Sequence, residues 1–146
     1  MSEILALNEH EFLVDERDGN GLGNGNSAKT KQIFKIDLET AHDVRGMDGT
    51  NAAANAVSKA LFLDIVKVLT ANGITADKIP AKIEGLAFGP DLEYNGSKIH
   101  TLWVANDNDF VQDESGPNQF FVFGVSDADL AGSEFVPQHF RREFDR

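Results

Sequence analysis

Glu84-Gly85-Leu86-Ala87-Phe88, Leu102-Trp103-Val104 and Phe121-Val122-Phe123-Gly124-Val125 are three apolar runs separated by polar or turn-forming residues. The first lies in residues 82–88 and is stopped by Gly89-Pro90. The second lies in residues 98–105 and ends in Asn106-Asp107-Asn108-Asp109. The third lies in residues 119–125. Short runs of this kind, bounded by Gly, Pro and Asn, read as strands. A matching set stands at the N-terminal end: Glu3-Ile4-Leu5-Ala6-Leu7, a turn at Asn8-Glu9-His10, Phe12-Leu13-Val14 in a strand over 11–15, the cluster Asp15-Glu16-Arg17-Asp18, then Ile33-Phe34-Lys35-Ile36 in a strand over 32–38.

The two sets share an order. A Glu opens the first strand, a polar cluster closes the second, and an acidic loop leads to the third. Glu3 and Glu84 stand 81 positions apart, longer than one propeller blade of about 40–50 residues. Residues 40–81 account for the excess: a polar loop with a short helix over 40–55, an outer strand at 60–65, and a helix from Ile65 to Ala71 capped by Asp64 and closed by Asn72-Gly73. The pattern predicts an all-β chain of antiparallel four-stranded blades of β-propeller type. It is a partial propeller of about two blades (3–65 and 82–125) with a short helical insertion. A β-sandwich is the other architecture such meanders serve. The whole chain, 1–146, reads as one propeller-type domain or part of one. Its charged tail, 126–146, contains Pro137 and either forms a short helical end or frays.

Composition narrows the function classes. The chain has 146 residues, 13 Lys+Arg against 24 Asp+Glu, and a formal charge of −11. Phosphate-backbone binding needs a basic face, so nucleic acid is not an expected partner, nor is an anionic membrane surface. No apolar run approaches the roughly 20 residues of a membrane helix. Cysteine is absent, which removes disulfides, thiol nucleophiles and Cys-type zinc sites. The segment Met1-Ser2-Glu3-Ile4-Leu5 is not a signal peptide.

The Gly- and Asn-rich stretch over 16–27 reads as a loop with a mobile tip. It is not an EF-hand: counted from Asp18, position 5 is Leu22 and position 12 is Lys29, where a Glu is needed. It is neither a P-loop nor a dinucleotide fingerprint. No G-x-S-x-G elbow or H-E-x-x-H pair occurs, and His10, His42, His100 and His139 read as surface histidines. Trp103 reads as packing between blades.

Residues 82–92 followed by 102–110, together with Glu3-Ile4-Leu5-Ala6-Leu7-Asn8 and the strand that runs into Glu16-Arg17-Asp18-Gly19, resemble the phytase-like family, the group described by an "esterase-like activity of phytase". The resemblance extends over most of residues 1–125. It implies a β-propeller with an acidic channel, a metal-assisted phosphoester or ester hydrolase with a small-molecule substrate, calcium as the metal, and a periplasmic or extracellular location. A full propeller needs at least four blades, on the order of 160 residues. The chain therefore resembles the C-terminal portion of such a protein, to be completed by further blades or by homo-oligomer formation.

Within that frame Glu16, Asp18, Glu84, Asp107 and Asp109 are candidate metal ligands, because calcium takes six to eight oxygens and favours carboxylates. Arg17 is a candidate phosphate contact through its planar fork, with a salt bridge across the loop as its other role. Acidic loops in a chain of this charge are also simply solvated. The same residues then serve a non-catalytic, calcium-binding propeller module that acts as a binding or scaffold domain.

Overall fold

The computed structural model describes residues 1–138. In chain order the elements are β1 (Glu3–Ala6), β2 (Glu11–Arg17), β3 (Lys31–Asp37), α1 (Gly49–Ala54), β4 (Lys59–Asp64), α2 (Ile65–Ala71), β5 (Ile83–Phe88), β6 (Leu92–Tyr94), β7 (Ser97–Asn106), α3 (Gln112–Ser115) and β8 (Phe120–Val125). They form two antiparallel four-stranded sheets. The first is a meander, β1-β2-β3-β4. The second is built around β7, with β8 along one edge and β5 then β6 along the other.

The repeat read in the sequence corresponds strand by strand: β1 to β5, β2 to β7, β3 to β8. The alternation that makes these segments strands also supplies the core. Leu5, Leu13 and Ile33 face inward from the first sheet, and Leu86, Leu102, Val104, Phe121 and Phe123 from the second. Side chains one residue out of step point to the opposite face.

Helix α2 forms where its caps and apolar spacing coincide. The Asp64 carboxylate accepts from the Lys67 amide at 3.0 Å, Asn72 caps the C-terminus, and Gly73 turns away at φ +87°. Ile65 and Leu69, one turn apart, are its buried residues.

Several expectations are corrected. Strand β2 runs on through Glu16 and Arg17, which the sequence placed in a loop; Arg17 pairs with Lys31 in register. The loop that follows is tied down: the Leu22 amide donates to the Ile79 carbonyl at 2.8 Å, and Ala81 donates back to Leu22 at 3.0 Å. At Gly21 (φ +137°) a Cβ would lie 2.5 Å from the Ile79 carbonyl oxygen, so only glycine lets the loop approach. Strand β6 went unread in the sequence, although Asn95-Gly96, both at positive φ, forms its two-residue turn into β7.

Trp103 is not interior. With Phe120 and Val122 it stands on the outer, uncharged face of the second sheet, where the three are 39%, 66% and 48% exposed. His100 is buried rather than at the surface. Of the expected helical end, residues 139–146 lie outside the described residues. Residues 126–138 are turns and irregular chain, tied to the sheets by Val136 donating to the Leu7 carbonyl at 2.9 Å. Among the described residues no helix is long and apolar enough to cross a membrane.

Candidate functional site

β2 ends, β5 begins and β7 ends at one edge of the two packed sheets, called the rim here. Arg17 links the two sheets there. Its Nε donates to the Ile83 carbonyl at 3.1 Å, Nη1 to the Asp18 carbonyl at 3.3 Å, and Nη2 to Glu84 Oε1. The partner is 67 positions away in sequence. A guanidinium fork suits this because its donors are fixed in a plane.

Lys31 opens β3 beside Arg17, and its side chain is fully buried. Its Nζ lies 2.8 Å from each of four oxygens: the Asp18 carbonyl, Asp18 Oδ1, the Asn20 carbonyl and the Ala81 carbonyl. An ammonium has three N–H groups, so four acceptors satisfy it fully. Asp18 is satisfied in turn by the Asn20 amide at 3.1 Å, Asn20 Nδ2 at 2.9 Å and the Thr30 amide at 3.1 Å. Burial works against its charge, but the Lys31 ammonium and the Asn20 donors outweigh burial and hold the carboxyl at about 2.

Asp15 lies on the same face of β2 as Leu13 and Arg17. It has no exposed surface, and neither carboxylate oxygen has a hydrogen-bond partner. Burial pushes its carboxyl up to about 6, against the pull of Arg17 and Lys31. Sequence reasoning assigns Asp15 no role, although the alternation Leu13-x-Asp15-x-Arg17 already puts it on the inward face.

The remaining candidates are distributed around this junction. Lys82 pairs with Asp109. The Asp107 carboxylate accepts from the Asp109 amide at 2.8 Å and has no ion-pair partner among the described residues. Asp109 and Phe110 both stand at positive φ, +53° and +61°, a strained pair at the tip of the β7 loop. Asn106 Nδ2 is buried without a partner. A cavity of about 90 Å³ is lined by Arg17, Lys82, Asn106, Asp107 and Asp109. Glu16, on the other face of β2, points away and pairs with Lys59 at 2.5 Å.

The structure therefore brings Arg17, Asp18, Glu84, Asp107 and Asp109 to one rim, with Lys31 and Lys82 among them, and leaves Glu16 outside. Calcium needs six to eight oxygens at 2.3–2.6 Å. The rim carboxylates as arranged do not fit it: Asp18, Glu84 and Asp109 are each held by a cationic side chain. Among the described residues, the group of three His or carboxylate donors that all come within 4.8 Å of one another is His10, Asp37 and Glu39, at the opposite end of β2. The sequence signal missed here is the cations. Lys31 opens β3 after a polar loop and Lys82 stands immediately before β5, places where lysine usually marks solvent.

Comparison with known proteins adds one finding. A family model described as "Phytase-like: Esterase-like activity of phytase" matches residues 1–110, from before β1 through the loop that follows β7. No curated protein and no solved structure matches the chain.

Proposed function

The chain belongs to the phytase-like family, and from that premise we propose that it is a hydrolase-type module for small phosphoesters or esters, with the rim as its site. The observation that carries the reading is the pairing of donors and carboxylates around one cavity. Arg17 and Lys82 line it with Asp107 and Asp109. In the proposal Arg17 and Lys82 take the anionic or developing oxyanion oxygens of the substrate. Asp107, free of an ion pair among the described residues, takes a proton from the attacking water as its oxygen bonds to the phosphorus or carbonyl carbon; the bond to the alcohol oxygen breaks and the alcohol leaves with that proton. A divalent ion would have to displace Lys82 from Asp109 or Arg17 from Glu84, so no step is assigned to one.

The proposal extends to architecture. The two sheets serve as propeller-type blades: β1 and β5 both start at the rim and pack against each other. The uncovered Trp103–Val122–Phe120 face then receives a further blade, from a longer chain or a second copy. A periplasmic or extracellular location follows from the family and is proposed with it.

The test is turnover of an aryl phosphate and an aryl ester by the full chain, with and without calcium. Hydrolysis is expected. It should fall about 100-fold in Asp107→Asn, and Arg17→Met should raise KM for the phosphate more than for the ester. Absence of turnover under both conditions would leave the non-catalytic binding module as the reading.

A further inference from the structure

The calcium that the family resemblance implies and the rim that the chain builds disagree, and the disagreement has a structural explanation. Lys31 Nζ sits among one carboxylate oxygen and three carbonyl oxygens, all at 2.8 Å. These oxygens come from two separate segments: the loop after β2 (Asp18, Asn20) and the linker before β5 (Ala81). Such a donor set, oxygen only and with one formal negative charge, is the kind that holds hard cations. The distances are those of an ammonium and exceed the 2.3–2.6 Å of calcium.

We propose that the Lys31 ammonium is an internal cation: it fills an oxygen seat between the two sheets, closing the rim without a metal ion. Burial lowers the Lys31 pKa from its ordinary value; Asp18 and, more weakly, Asp15, whose carboxylate is buried without a hydrogen-bond partner, oppose that by stabilising the ammonium. The seat also explains the pinning of the glycine-rich loop. With Leu22 bonded to Ile79 and Ala81, the Lys31 contacts to Asp18, Asn20 and Ala81 complete a cross-link from the end of β2 to the start of β5.

Truncating Lys31 should expose a seat of four oxygens. Lys31→Ala is expected to melt well below the wild type, and propylammonium should raise its melting temperature by about 3 °C or more. Choline, which has no N–H, should not, and Lys31→Met, which fills the space without charge, should show no rescue by propylammonium. A parallel measurement needs no variant. Acetylation of the native chain, read by mass spectrometry, should spare Lys31 while modifying exposed Lys29, and the two should react alike once unfolded. Equal labelling of Lys29 and Lys31 in the native chain would overturn the proposal. So would a Lys31→Ala variant that melts like wild type, or one that choline rescues as well as propylammonium does. None of these readouts depends on turnover, so the proposed hydrolase can fail while the internal cation stands, and the reverse.

Discussion

At the rim, the sheets are joined by Lys31 and Arg17, whose donors reach Ala81, Ile83 and Glu84 from the first sheet. At the opposite end, the closing group is His100. Its Nδ1 lies 2.8 Å from Asp91, in the corner between β5 and β6, and its Nε2 lies 3.2 Å from Asp127, in the turn after β8. Phe135 covers the ring at 4.5 Å between centroids. An imidazolium has two N–H groups and satisfies both carboxylates; a neutral ring has one and satisfies one. Loops are thus tied between the two sheets by lysine and arginine where the chain gathers its chemistry, and around the second sheet by a histidine where the C-terminal segment packs. A rim so closed should ignore added metal.

The largest effect expected is at Lys31. Lys31→Met leaves the buried Ala81 carbonyl and the partly exposed Asp18 carboxylate without their donor, at about 1–3 kcal/mol for each group left unsatisfied. Denaturant unfolding measures it, and a loss under 1 kcal/mol would erase the distinction between the two ends.

Asp15 tests the same end with the opposite sign. Its folded carboxyl titrates at about 6 against an ordinary 3.8. The folded chain therefore holds a proton that the unfolded chain has released. Stability should fall as pH rises between those values and level off above them, by up to about 3 kcal/mol in all. Asp15→Asn should flatten that slope and melt higher than wild type at pH 7. Asp18 acts the other way. With its folded carboxyl at about 2, its contribution is complete above 3.8 and is lost as the solution is acidified toward 2.

At the far end, His100→Phe should cost about 1–3 kcal/mol. It should also speed amide exchange at Val136, whose hydrogen bond to Leu7 holds the segment that Phe135 and Asp127 anchor. Unchanged exchange there would mean that His100 fastens nothing. The smallest effect belongs to the outlying pair. Glu16→Gln removes a partner from Lys59 where both side chains are more than a third exposed, so its cost should stay below about 1 kcal/mol and shrink with salt.

Much of the fold was legible because strands and caps are local. Period-two apolar runs located β1–β3, β5, β7 and β8, and Asp64 with Asn72-Gly73 bounded α2. Register and long-range pairing are not local. Nothing within a few residues of Arg17 announces Glu84, and no pattern distinguishes the buried Lys31 from exposed Lys29 two residues earlier. The acidic residues at the rim, and Arg17 as an ion-pair former, could be read from the sequence; their partners could not, because Lys31 meets Asp18 only once β2 and β3 pair, Lys82 meets Asp109 only once β5 and β7 pair, and Arg17 meets Glu84 only once the sheets pack. That is why a calcium site was the natural expectation and an internally paired rim was what the fold produced.

The direct measurement is the melting temperature of the wild-type chain in calcium and in chelator. A rim closed by its own lysines and arginine predicts superimposable curves. A clear upward shift with calcium would contradict it, because an ion that raises the melting temperature must bind the folded chain.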